Sequence, residues 1–172
     1  SSKFKTYIEY KNEITFKDYE GIKIYKCYKC GILKTFSDNI VPKQSRIDLY
    51  ESESAKFKKL LGFLVKKIQE YKKTGNVLDI GCSSGILLGL LKNAGYKTYG
   101  IEPNKQAYLK AKERFGSAIF QGTLDKFILK NTKKFDVIIY NHVLEHIYNP
   151  RQELEIVRKI LKKDGILVIG LP

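Results

Sequence analysis

A chain of 172 residues with 43% hydrophobic and 29% charged content has the size and balance of one ordinary domain, with room for a small appendage and a real core. No apolar run approaches the roughly 20 residues of a membrane helix, and no charged-then-apolar leader opens the chain, so no membrane span and a cytoplasmic location are expected. The formal net charge of +14 invites nucleic acid as a partner, yet the excess is lysine scattered over helix faces, with arginine only at 46, 114, 151 and 158, and arginine is the better reader of phosphates.

Residues 3–36 alternate aromatic or aliphatic with polar positions (Phe4, Tyr7 and Tyr10; Ile14 and Phe16; Ile22, Ile24 and Tyr25). Short strands with turns at Lys11-Asn12 and Glu20-Gly21 fit this pattern. The segment ends in Cys27-Tyr28-Lys29-Cys30-Gly31. A C-x-x-C-G knuckle suits tetrahedral zinc, but two ligands are visible where four are needed. Two readings stand: Cys27 and Cys30 as metal ligands, or as two buried free thiols. A redox pair lacks the βαβ context it would need. The chain holds no methionine, not even an initiator, so Ser1-Ser2 reads as a tag remnant or a trimmed start, with the natural protein expected to extend upstream.

Residues 37–50 form a polar connector around Pro42. A helix over residues 51–73 follows, with Ala55, Leu60, Leu61, Leu64, Val65, Ile68 and Tyr71 on one stripe and lysines mostly opposite. Val77, Leu78 and Ile80 read as a strand buried on both faces. Gly81 and Gly85 bracket a tight turn, and a helix from Ile86 stops near Gly95. A strand over residues 97–101 then ends on Glu102. This is half of a nucleotide-binding α/β unit: glycines let the backbone approach a ligand, and a terminal acid can accept from both ribose hydroxyls.

The turn is not a dinucleotide fingerprint, because Ser83 and Ile86 stand where G-x-G-x-x-G needs its second and third glycines. An acid, Asp79, stands two residues before the first glycine instead. Pro103 is expected to start a helix running to Phe115, and residues 118–122 a third strand. Residues 135–141 form a fourth strand leading into His142-Val143-Leu144-Glu145-His146. Asn149-Pro150 caps an amphipathic helix over residues 153–163, ended by Asp164-Gly165, and residues 166–169 form a fifth strand.

Asp79-Ile80-Gly81-Cys82-Ser83-Ser84-Gly85 resembles motif I of the class I S-adenosylmethionine-dependent methyltransferases, and Gly100-Ile101-Glu102-Pro103-Asn104 resembles their acidic ribose-binding motif. Residues 141–146 are similar to the post-strand motif of members acting in quinone and small-molecule biosynthesis. The resemblance implies an α/β, Rossmann-like, doubly wound and mostly parallel sheet over residues 51–172, with a small β-rich segment over residues 1–36. It implies S-adenosylmethionine as cofactor and contacts from Asp79, Gly81, Cys82, Ser83, Gly85, Glu102, Pro103, Thr123, Leu124 and Asn141. Asp125 stands two residues late for the adenine-contacting acid, so Thr123 is the alternative. Tyr50 resembles a position that closes over the methionyl end.

His146 or His142 would serve as general base for a hydroxyl or carbon acid; a purely structural role is the competing reading. The acceptor implied is a small molecule, with a nucleic-acid methyltransferase or a catalytically silent cofactor-binding module as rivals. Some relatives carry an N-terminal zinc segment with two cysteine pairs, of which Cys27 and Cys30 look like the second. The family usually continues with two further strands, so either the chain is a fragment or its last strand offers an open edge to a partner chain.

Overall fold

The computed structural model describes residues 4–9, 23–27, 33–36 and 54–171, with side chains from residue 58 onward. The chain divides into two compact units, Ser1–Arg46 and Ile47–Pro172. In the first, β1 (Phe4–Glu9), β2 (Lys23–Cys27) and β3 (Leu33–Phe36) form an antiparallel sheet in that order, with an irregularity between Thr6 and Ile8. The strand expected around Ile14 and Phe16, its flanking turns, Cys30 and Tyr50 lie outside the described residues. Cys27 is the last residue of β2.

The second unit begins with α1 (Ser54–Tyr71) and β4 (Asn76–Ile80). It continues through α2 (Ile86–Asn93), β5 (Lys97–Glu102), α3 (Lys105–Phe115), β6 (Ile119–Gln121), α4 (Leu124–Ile128), β7 (Phe135–Asn141), α5 (Pro150–Ile160) and β8 (Leu161–Gly170). The five strands form a parallel sheet in the order β6-β5-β4-β7-β8. Strand alternation sorts the core onto two faces. Val77, Val137 and Ile139 pack with Leu61, Val65 and Ile68 of α1 and Leu87 and Leu91 of α2. Leu78, Ile80, Ile138 and Tyr140 pack on the other face with Leu124, Phe127, Val157 and Ile160. Among the described residues no helix is long and apolar enough to cross a membrane.

One expected stripe and two expected boundaries change. On α1 the inward stripe is narrower than the pattern suggested: Leu61, Val65 and Ile68 are buried, whereas Leu60 and Tyr71 are 61% and 68% exposed. Pro103 does not start α3. Asn104 caps it, its side-chain oxygen accepting from the Gln106 and Ala107 N–H groups at 3.0 and 3.1 Å. The helix expected to reach Lys163 ends at Ile160, because Leu161 already pairs with Phe135. The chain then makes an excursion before Ile166 pairs with Val137. Lys162 pins that excursion by donating to both oxygens of Asp136 at 3.0 and 2.9 Å.

The sheet order reverses at β4: the chain runs outward from it through β5 to β6, then crosses back to β7 on its other side. A crevice opens beyond the carboxyl ends of strands at such a point, which puts residues 79–85, 102–104 and 141–146 around one opening.

Candidate functional site

The turn after β4 hooks over its neighbour: the N–H groups of Gly81 and Cys82 both donate to the Ile101 carbonyl, at 2.8 and 3.0 Å. Gly81, Ser83 and Gly85 all take positive φ, at 75°, 49° and 80°. The two glycines do different things. A Cβ on Gly81 would collide with Cγ2 of Val143, so the missing side chain lets the loop after β7 close over the turn. A Cβ on Gly85 would stand 2.7 Å from the Phe115 ring, so that glycine serves the packing of α2 against α3.

Two cavities meet here, and Gly81 and Val143 line both. The upper one, of about 100 Å³, is walled by Asp79, Ser83, Asn141 and His142, with Leu61 of α1. The lower one, of about 580 Å³, takes in Glu102, Pro103, Thr123, Leu124 and His146. The structure therefore gathers nearly all the expected contact residues, but Gly85 lines neither cavity. Cys82 touches the upper one while sitting buried among Gly100, Leu88 and Ile119. Burial, with Asp79 and Glu102 nearby, pushes its thiol pKa up and leaves it unreactive.

Glu102 is buried, and both its oxygens accept backbone donors: Oε2 from Ser83 N–H and Oε1 from Asn104 N–H, each at 2.8 Å. The carboxylate thus fixes the glycine turn and the start of α3 together. Burial raises its pKa, and those two hydrogen bonds oppose the rise. Asp79 is only 3% exposed and has no hydrogen-bond partner among the described residues. Burial, then the nearby Glu102 carboxylate, push its pKa up to about 8. No lysine or arginine lines either cavity, although the chain holds 32.

The end of β7 is held from β8. His142 takes φ 56° and donates its N–H to the Gly170 carbonyl at 2.9 Å. Asn141 lies over Gly170, where a Cβ would stand 2.6 Å from Oδ1. His142 Nδ1 lies 3.9 Å from Glu145 Oε1. His146 sits at the end of the short 3-10 turn Leu144–His146, its N–H donating to the Val143 carbonyl at 2.9 Å. The two imidazoles consequently face different cavities. Thr123 precedes α4 and donates its hydroxyl to Asp125, which holds that exposed acid below the usual carboxylate range.

Sequence reasoning missed several wall residues, among them Leu61, Val143 and Glu153. Leu61 reads only as part of the apolar stripe of α1, and the pattern singles out neither Val143 nor Glu153 as a site residue. Glu153 in fact lines the lower cavity, and Tyr140 donates its hydroxyl to it at 3.0 Å. An aromatic at the buried end of β7 carrying a polar tip was the available signal.

Residues 50–172 match the family model described as a methyltransferase domain. The chain belongs to that family. A ubiquinone biosynthesis O-methyltransferase from Glaesserella parasuis is 35% identical over 103 residues, 55% of this chain and 44% of that protein. An uncharacterized methyltransferase from Bacillus cytotoxicus is 33% identical over 103 residues, 58% of this chain and 48% of that protein. The chain spans less than half the length of these curated relatives. Among solved structures, the plantazolicin methyltransferase BpumL in complex with SAH superposes with a TM-score of 0.62 at 22% identity, covering 76% of this chain and 53% of that one. This likeness establishes the fold.

Asp79 should cost the ligand-free protein stability. Its unfolded carboxyl ionises near its ordinary 3.8, while the folded one keeps its proton to about 8. Folding therefore takes up a proton across that window, and stability contributed by this group falls as pH rises, by up to about 1.4 kcal/mol per unit. Asp79→Asn removes the dependence. Melting temperatures from pH 5 to 9 should show the variant's advantage widening up to pH 8 and then levelling; parallel curves would contradict the assignment.

Proposed function

We propose that this chain is the cofactor-binding part of an S-adenosylmethionine-dependent methyltransferase acting on a small-molecule acceptor. The observation that carries this reading is the pair of buried acids, Asp79 and Glu102, at a glycine turn with no cation beside them. Such a pair calls for a ligand rich in positive charge and hydrogen-bond donors. S-adenosylmethionine fits: it has an ammonium, a sulfonium and two ribose hydroxyls, and when bound it supplies an electrophilic methyl group. The SAH complex of a structural neighbour and the methyltransferase names of the relatives support the same reading.

In this reading Asp79 faces the charged amino-acid end, and Glu102 accepts from the ribose hydroxyls with lone pairs not used by Ser83 and Asn104. Gly81, with Val143 packed against it, forms the wall that both cavities share, and Asn141 and Ser83 flank the ligand. The protein's contribution is alignment and exclusion of water. For a hydroxyl or carbon-acid acceptor a base is needed, and His142 in the upper cavity and His146 in the lower are the imidazoles in reach of the site. Residues 51–172 form the binding domain. Residues 1–36 are an appended unit whose Cys27 and Cys30 offer two thiolates to zinc.

Calorimetric titration with S-adenosylmethionine should give saturable one-to-one binding, with release of close to one proton at pH 7 as Asp79 ionises. Glu102→Ala should weaken binding at least tenfold, from the loss of charge-assisted hydrogen bonds worth about 1.5–3 kcal/mol each. A folded protein that binds nothing, or unchanged affinity in the variant, would overturn the reading.

One observation favours a nucleic-acid acceptor instead. Lys58, Lys92, Lys110 and Arg114 line a groove between α2 and α3, with Glu113 as its acid. RNA affinity should then fall steeply with salt and drop further in Lys92→Glu/Arg114→Glu. No binding at low salt would end that alternative.

A further inference from the structure

Ser84 and Ile86 line the upper cavity and also a groove of about 900 Å³ on which cations from three helices converge. These are Lys58 of α1, Lys92 of α2, and Lys110 and Arg114 of α3, with Glu113 as the acid among the described residues. Gly89, Leu90 and Phe115 complete an apolar floor with Ile86. Lys92 and Arg114 stand in the last turns of their helices, where the helix dipole alone favours a cation. The dipole does not account for Gly89. A glycine in the middle of a helix weakens it, and a Cβ here would meet Nη2 of Arg114 at 3.1 Å and the Phe115 ring at 3.8 Å. The bare position admits the guanidinium. That group is fixed from other sides too: Nη1 donates to the Ser84 carbonyl at 3.1 Å, and the guanidinium carbon stands 5.2 Å from the centre of the Phe115 ring. Lys92 Nζ lies 6.0 Å from the same ring.

We infer that this groove is a second ligand site, taking a small molecule that carries a chain of phosphates, and that its occupancy tightens the cofactor site. The second half rests on the cofactor reading above. A chain of phosphates has the length and charge to engage cations on three helices at once, which a lone carboxylate has not. Arginine presents five donors, so Arg114 keeps the Ser84 carbonyl while it takes phosphate oxygens. The lysines outside the groove are scattered over helix faces and do not extend it into the track that a nucleic-acid backbone follows. The coupling runs through Arg114. Ser84 follows Ser83, whose N–H donates to Glu102, so an anion that immobilises the guanidinium stiffens the turn that carries both contacts. It also sets negative charge behind a site for a cationic ligand. Such coupling is reciprocal: each ligand strengthens the other by the same factor.

The test is calorimetric titration with inorganic triphosphate and with uridine triphosphate, whose base does not mimic the cofactor's, at constant ionic strength. Saturable one-to-one binding is expected, and whichever compound binds more tightly identifies the source as free polyphosphate or nucleotide. Lys92→Ala/Arg114→Ala, both at exposed side chains, should weaken it by at least about tenfold. Lys66→Ala/Lys73→Ala removes the same charge from an exposed face of α1 and should change it by less than about twofold. Equal losses in the two double variants, or no saturable binding to wild type, overturns the site. With triphosphate saturating, S-adenosylmethionine should bind wild type about fivefold more tightly and the Lys92→Ala/Arg114→Ala variant no more tightly than before. Triphosphate binding that leaves the cofactor's affinity unchanged overturns the coupling. If S-adenosylmethionine binds under neither condition the cofactor reading fails, and the triphosphate titrations still decide the site. A short RNA that displaces triphosphate at far lower concentration makes the groove a nucleic-acid surface and overturns the inference.

Discussion

The site depends on one constraint: two carboxylates are held out of water near the ends of adjacent parallel strands, and only one of them, Glu102, has backbone amides as its donors. Pairing of Ile80 with Ile101 brings the turn after β4 alongside the last residue of β5. Glu102 then ties the two connections together through Ser83 and Asn104. Moving that carboxylate would free two N–H groups at once and loosen both the glycine turn and the cap of α3. The positive φ of Ser83, uncommon for a residue with a side chain, is tolerable because its N–H is tied to Glu102 in this way. Asp79 has no such donors. A buried acid without a partner opposes folding, and its retention makes sense where something outside the chain completes it.

The helix layer and the second loop follow from the same geometry. Gly81 is bare, so Val143 can close over the turn; Gly170 is bare, so Asn141 can lie across the end of β8. Each glycine removes a side chain at the point where two loops must share space. The neighbouring His142 is held by its N–H to the Gly170 carbonyl. The loop that carries both histidines is therefore braced from β4 on one side and β8 on the other, so its side chains sit on a fixed platform.

Much of this was legible in the linear order because local rules decide it. The apolar runs at 77–80 and 135–141 can only be strands covered on both faces, and glycines at 81 and 85 can only mark a turn. The acid at the end of β5 stands out by contrast with its apolar neighbours. What stayed hidden depends on partners remote in sequence. The early end of α5 is set by Leu161 pairing with Phe135, and Asp136 gains Lys162 only once β8 is in place. The start of α3 reads as Pro103 in the linear order, and the side-chain cap from Asn104 moves it. Gly85 reads as a ligand contact, and its packing against Phe115 stayed hidden, since nothing near it in sequence announces that ring. Glu153 carried no signal of its own, since nothing near it announces Tyr140.

The distribution of charge has a kinetic consequence. The net charge of +14 acts over the Debye length, about 8 Å at physiological ionic strength, whereas the acids of the two cavities act only at close range. A cationic ligand approaching from solution meets a repulsive field first and an attractive site last, and its encounter rate rises as salt screens the surface. A neutral ligand of the same shape crosses that field without a barrier. If the positive charge is lost in the reaction, reactant and product then respond to ionic strength differently on the way in, even where their contacts in the cavity are nearly the same.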